Sequence, residues 1–132
     1  MAILIRQFMT VNPQTIEDDL SLQVAKERMY ALSIHHLPCV HDGKLTGILS
    51  HRDIAVAESL GLGESSDIQV RTVMTQVPFT CGPDALLEAV AREMAEKRIG
   101  SAIVVDPDHP TKVVGVFTGV DAFGALADII AC

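Results

Sequence analysis

Along the first half of the chain, apolar residues switch between helical and alternating spacing at defined points. Leu22, Ala25, Met29 and Leu32 recur at the interval of one helix face. Asp18 or Asp19 stands where a carboxylate can cap the start of that helix, and a short extended piece, Gln14 to Ile16, precedes it. HLPCV and LTGILS follow as two runs of strand length, separated by Asp42-Gly43, a pair suited to a tight hairpin turn. From Arg52 to about Leu60 the spacing is helical again. The second half repeats the sequence of events: Asp84 at a helix start, a stripe of Leu87, Val90 and Met94, the runs SAIVV and VVGVFT, and a helix from Asp121 to about Ile130. The predicted order is β-α-β-β-α, twice, an α/β (α+β) chain.

The two halves are copies. Met9-Thr10 recurs as Met74-Thr75, Pro13 as Pro78, Thr15 as Thr80, Leu22 as Leu87, Met29 as Met94 and Ile34 as Ile99, all at one offset. Gly47, Ser50 and Asp53 then match Gly115, Thr118 and Asp121 at a larger offset, because HDGK in the first copy becomes DPDHPTK in the second. The extra residues are expected in a turn, where length is tolerated. The repeats are read as residues 1–66 and 67–132, with GLGESSD at 61–67 as connector.

The closing helices carry few charges. In AFGALADIIA, residues 122–131, only Asp128 is charged, and IAVAESL, residues 54–60, is almost as apolar. A helix apolar nearly all round is buried on more than one side. Two repeats of this size do not easily enclose both, so these helices are expected to pair with a second chain in a homodimer.

Composition narrows the function. With 132 residues, 48% of them hydrophobic, the chain is long enough for a real core. A net charge of -7, with ten Lys and Arg scattered along the chain, disfavours nucleic acid as a partner. No apolar run reaches the length of a membrane span, and MAILIRQF is too short for a signal peptide, so a cytoplasmic protein is expected. Cys39, Cys81 and Cys132 form no C-x-x-C pair and read as buried free thiols. His35, His36, His41 and His51 lack the helical spacing of a metal site, and no metal is expected.

One feature of the repeat bears on chemistry. GILSHRD and GVFTGVD each end a strand on a hydroxyl, with an acid three residues later. That spacing makes a capping box. It also places a carboxylate beside a hydroxyl at a helix mouth, where it can accept hydrogen bonds from vicinal ribose hydroxyls while backbone N–H groups face a phosphate. Gly47 and Gly115, three residues before the hydroxyl, mark close approach of another backbone or of a ligand.

MTVNPQTI, IHHLPCV and GILSHRDI in the first half, with VMTQVPFT, IGSAIVVD and GVFTGVDA in the second, resemble the CBS domain, the module named after cystathionine β-synthase. Taken in register over nearly the whole chain, the pattern resembles a tandem CBS pair, or Bateman module. The resemblance implies two β-α-β-β-α repeats packed sheet to sheet about a pseudo-two-fold axis, with clefts that bind adenosine-containing ligands. AMP, ADP or ATP leads that implied set, with S-adenosylmethionine or NAD as alternatives. It implies that Asp53 and Asp121 bind ribose, with Ser50 and Thr118 beside them. Thr15, Ile16, Thr80 and Cys81, with Leu37, Pro38, Ala102 and Ile103, are implied to line the base pocket. His35, His36, His51 and Arg52 are implied to meet phosphate in the first repeat, where the second has Ser101 and no base inside TGVD.

The second copy departs from the family pattern where Cys81 replaces a branched aliphatic and CGPDALL stands before the helix. No nucleophile elbow, phosphate loop or acid–base pair supports catalysis. The expected function is a non-catalytic regulatory module that senses an adenine nucleotide and acts on an effector protein in trans, with no catalytic cofactor. The alternatives are an enzyme using Asp53 and His51, and a structural dimerisation module with empty clefts.

Overall fold

A computed structural model of the chain describes residues 2–131. Contacts divide it into two units: Gln14–Pro78, and Met1–Pro13 together with Phe79–Cys132. The first contains strands β2 (Ile16–Glu17), β3 (His36–His41) and β4 (Lys44–Ser50), with helices α1 (Leu22–Leu32), α2 (His51–Ser59) and α3 (Val70–Val73). The second contains β1 (Thr10–Val11), β5 (Thr80–Cys81), β6 (Ser101–Asp106) and β7 (His109–Thr118), with α4 (Leu87–Lys97) and α5 (Gly119–Ala131). The predicted β-α-β-β-α order is present in both. A short 3-10 turn at Ile5–Gln7, α3 and β1 were not expected from the sequence pattern.

The compact units and the sequence repeats divide the chain differently, because the segments that lead into each repeat are exchanged. Ile68 accepts a hydrogen bond from the N–H of Leu22, and Val70 N–H donates to Leu20. At the equivalent positions Ile3 accepts from Leu87 and Ile5 donates to Ala85. The segment leading into each copy thus completes the core of the other: Val70 is fully buried among Ile16, Leu22, Leu37 and Leu49, and Ile5 among Val90, Ala102 and Phe117.

That exchange explains the two strand glycines. A Cβ on Gly47 would lie 2.5 Å from the Thr75 carbonyl oxygen, and one on Gly115 would lie 2.7 Å from Met9 Sδ and 3.0 Å from the Thr10 oxygen. Thr75 and Ile48 exchange N–H···O bonds of 2.9 and 3.0 Å across that gap. The close approach marked by these glycines is therefore of the protein's own backbone.

Several local expectations are corrected. The cap of α1 is Ser21, whose hydroxyl accepts from Val24 N–H at 3.2 Å, and neither Asp18 nor Asp19. Asp18 is buried and drawn inward by other partners. Helix α4 begins at Leu87 with no side-chain cap, while Asp84 forms an ion pair with Arg6. Leu32 ends α1 and is 45% exposed, because Ser33 leaves the helix in the left-handed conformation before the core is reached again at Ile34. Arg98 ends α4 in the same way. The extra residues of the second copy lie in β7, not in the turn. Asp106 pairs with His109 and Val105 with Val113, so Pro110, Thr111 and Lys112 bulge out of the ladder.

Within each sheet the faces are allotted by alternation. Leu37 and Leu49 pair across β3 and β4 and point into the core under α1 and α2, so His36 and Ser50, the next pair, point to the opposite face. In the other unit Ala102 and Phe117 fill the core, and Ser101 and Thr118 take the opposite face. Among the described residues no helix is long and apolar enough to cross a membrane.

Candidate functional site

Both strand-to-helix corners close as the predicted box. Ser50 N–H donates to Asp53 Oδ2 at 2.8 Å, and Asp53 N–H donates to Ser50 Oγ at 3.0 Å. In the second unit Thr118 N–H donates to Asp121 Oδ2 at 2.9 Å, the Thr118 hydroxyl reaches the same oxygen at 3.2 Å, and Asp121 N–H points back at 3.5 Å. In each corner the cap engages Oδ2, and among the described residues Oδ1 takes no hydrogen bond. The capping reading is correct, yet it occupies only half of each carboxylate. Both aspartates are half-buried, which leaves the second oxygen a route to solvent.

The cross-strand register adds one residue to each corner. His36 lies directly opposite Ser50, and Ser101 directly opposite Thr118, so each sheet presents a strand residue, a hydroxyl and an acid on one face. Burial, then the neighbouring His35, holds His36 below the ordinary histidine range, and Asp53 opposes that shift. The histidine and the acid thus sense each other.

The other predicted residues separate by face. Ile16 and Leu37 belong to one core, with Ala102 and Cys81 in or against the other, so their side chains are committed to packing beneath the helices. Pro38 and Ile103 are fully buried on the opposite face. Thr15 is half-buried, with its carbonyl accepting from Arg28 at 3.1 Å, and Thr80 is exposed beside Ile103. Arg52 is exposed and makes no ion pair among the described residues. Burial pushes the Cys39 thiol up to about 12 and the Cys81 thiol to about 11, so neither is a nucleophile at neutral pH. Cys132 lies outside the described residues.

His35 and His51 occupy a different place from His36. Their rings stand 5.6 Å apart in a groove of about 660 Å³ between α1 and α2, with Lys26, Tyr30 and Glu58. Lys26 Nζ donates to Glu58 at 2.6 Å, which together with Ser65 holds that carboxyl below its usual range. Asp18 also escaped sequence reading as anything but a cap. It is 6% exposed and bridges His41 Nδ1 at 3.2 Å, the Thr46 hydroxyl at 3.0 Å and Arg71 at 3.4 Å. Its one signal in the sequence is the failure to repeat, since the equivalent position is Pro83.

Known proteins share this fold. The chain is 30% identical, over 98% of its length and 95% of the other, to a CBS domain-containing protein of Dictyostelium discoideum. The structure of the CBS domain pair of protein MJ0100 in complex with 5'-methylthioadenosine and S-adenosyl-L-methionine superposes with a TM-score of 0.88, at 27% identity and covering 97% of this chain and 98% of that one. CBSX2 in complex with AMP gives 0.81 at 26% identity, covering 96% and 97%. Other relatives are enzymes, among them homoserine O-acetyltransferases, of which the chain spans 20% to 23% of the length. The family model for the CBS domain matches residues 5–59 and again 70–128, one match per repeat, each taking in its S/T-x-x-D corner, and the chain therefore belongs to the CBS domain family.

Proposed function

We propose that this protein is a non-catalytic regulatory module that binds an adenosine-containing ligand at its S/T-x-x-D corners and reports occupancy to another chain in the cytosol. The observation that carries the reading is the half-used carboxylate. In both units the capping box engages Oδ2 and, among the described residues, leaves Oδ1 with no hydrogen bond on a half-buried acid, the arrangement needed to accept from a ribose diol. Two structural relatives at more than 25% identity are complexes with adenosine compounds, which supports the same ligand class. AMP, ADP and ATP are the leading candidates, with S-adenosylmethionine and NAD behind them. Thermal unfolding of the purified protein against a panel of these compounds tests the reading, since a ligand that binds only the folded state raises the midpoint. A flat response across the whole panel at millimolar concentration would sink it.

The complete closure of the box favours one second reading, a dimerisation module whose corners serve only as caps. The exposed face of α5 suits a second copy of this chain under either reading: Val120, Phe123 and Ile130 are each more than 70% exposed on a helix with only Ala125 buried. The readings part on nucleotide binding, which the same panel measures.

A further inference from the structure

Resting on the adenosine reading above, we propose that the two corners take different ligand classes: the Ser50–Asp53 corner an adenosine 5'-phosphate, and the Thr118–Asp121 corner an adenosine compound without phosphate, neutral or cationic. The tandem repeat supplies its own control. Both corners fold alike, with the same box and the same cross-strand pairing, so any residue that differs between them is not demanded by the fold. The differences are all of one kind. Where the first corner has His36 beside its hydroxyl, the second has Ser101; where the first places His51 and Arg52 between hydroxyl and acid, the second has Gly119 and Val120.

His51 turns into the groove between the helices, which leaves His36 and Arg52 to act at the corner. His36 shares the face of Ser50 and is coupled electrostatically to Asp53. Arg52 is exposed, with no ion pair to satisfy among the described residues. In a chain of net charge -7, a phosphate needs a local cation to offset the general field; Arg52 carries that charge, while His36, neutral in the free protein, offers a ring N–H and gains a proton when a phosphate lies beside it. A planar guanidinium on phosphate forms charge-assisted, two-pronged hydrogen bonds. The second corner carries no cation between its hydroxyl and acid or on the paired strand residue. The nearest in sequence, Arg98, is the left-handed residue that ends α4. The same negative field that opposes phosphate there favours a cation.

Calorimetric titration of AMP, adenosine and 5'-methylthioadenosine separates the possibilities. The wild type should prefer AMP to adenosine at one corner, and Arg52→Ala or His36→Gln should each reduce that preference roughly tenfold or more. Asp53→Asn should remove the AMP-preferring isotherm and keep the one for 5'-methylthioadenosine, and Asp121→Asn the reverse. Arg98→Ala should change neither. Because Arg52 is exposed, its variant keeps the fold, and matching melting midpoints check this. Should the three compounds all fail to bind wild type, the adenosine reading itself falls. Should they bind, but with an AMP preference indifferent to Arg52 and His36, lost equally in both aspartate variants, or dependent on Arg98, the assignment of classes is overturned while the reading stands.

Discussion

Asp53 and Asp121 each cap a helix through one carboxylate oxygen, and under the proposed function the other oxygen binds ribose, so the two roles can be separated by a single atom. Asparagine keeps an acceptor for the N–H of Ser50 or Thr118 and loses the charge, so Asp53→Asn or Asp121→Asn should cost the fold at most about 1 kcal/mol. A charge-assisted bond to ribose contributes about 1.5 to 3 kcal/mol, so nucleotide affinity should fall by roughly tenfold or more. Chemical denaturation and calorimetry on the same variants compare the two losses, and normal affinity in both variants would reduce the corner to a cap. His36 adds a pH signature. Its folded-state pKa is lowered, first by burial and then by His35. As pH falls below the unfolded value of about 6.5, the unfolded chain takes up a proton that the folded one refuses, and stability declines until the folded pKa is reached. Above that window the residue contributes nothing. His36→Gln should therefore flatten the dependence of melting temperature on pH between about 7.5 and 5.5. A phosphate beside His36 favours its protonated form, so AMP should bind more tightly at pH 6 than at pH 8, with proton uptake visible as a buffer-dependent heat.

At the scale of elements, each strand-to-helix corner depends on the segment laid against its strand by the exchange. Gly47 is the tightest point, with a backbone oxygen 2.5 Å from where a Cβ would stand, and neither chain can retreat without breaking the paired bonds between Ile48 and Thr75. Gly47→Ala should destabilise by about 1 to 3 kcal/mol, the usual cost of overpacking. Gly115→Ala should cost less, because its nearest contact is the flexible end of Met9. Gly124→Ala, on an exposed stretch of α5 with nothing within 4 Å, is the control and should be neutral or slightly stabilising. Urea denaturation of the three variants gives the order directly. Glycine in both strands was legible as a sign of close approach; which partner approached was not, because backbone and ligand ask for the same missing side chain.

For the whole molecule, the exposed apolar side chains of α5, Val120, Phe123 and Ile130 among them, are the surface a second copy would cover under the proposed association. A second copy covering this helix would bury the kind of surface that stable dimers bury, about 800 Å² per partner. Phe123→Glu and Ile130→Glu should each shift sedimentation at tens of micromolar from dimer toward monomer, while leaving the far-UV spectrum unchanged. A wild type that sediments as a monomer at that concentration would end the proposal. Of the predicted apolar helix at 54–60, Val56 and Leu60 are exposed, whereas Ile54 and Ala57 belong to the core of their own unit.

Local spacing by itself determined the element order, the Asp42-Gly43 hairpin and the two capping boxes, because helical periodicity, alternation and short hydrogen-bonded motifs involve residues within a few positions of each other. Duplication sharpened all of these, since an accident in one copy is not repeated in the other. Tertiary structure alone decided which body each leading segment joins. Ile68 and Ile3 pair with partners far along the chain, and nothing local distinguishes their own repeat from the other. It also decided that Asp18 turns inward to Arg71 and His41, and that the inserted residues bulge from β7, where a ladder can absorb them without reopening the turn. Most of all it separated His36 from His35 and His51. A sequence shows three histidines near one corner, but only the pleat of β3 and the course of α2 put one of them beside Asp53 and two in the groove behind it.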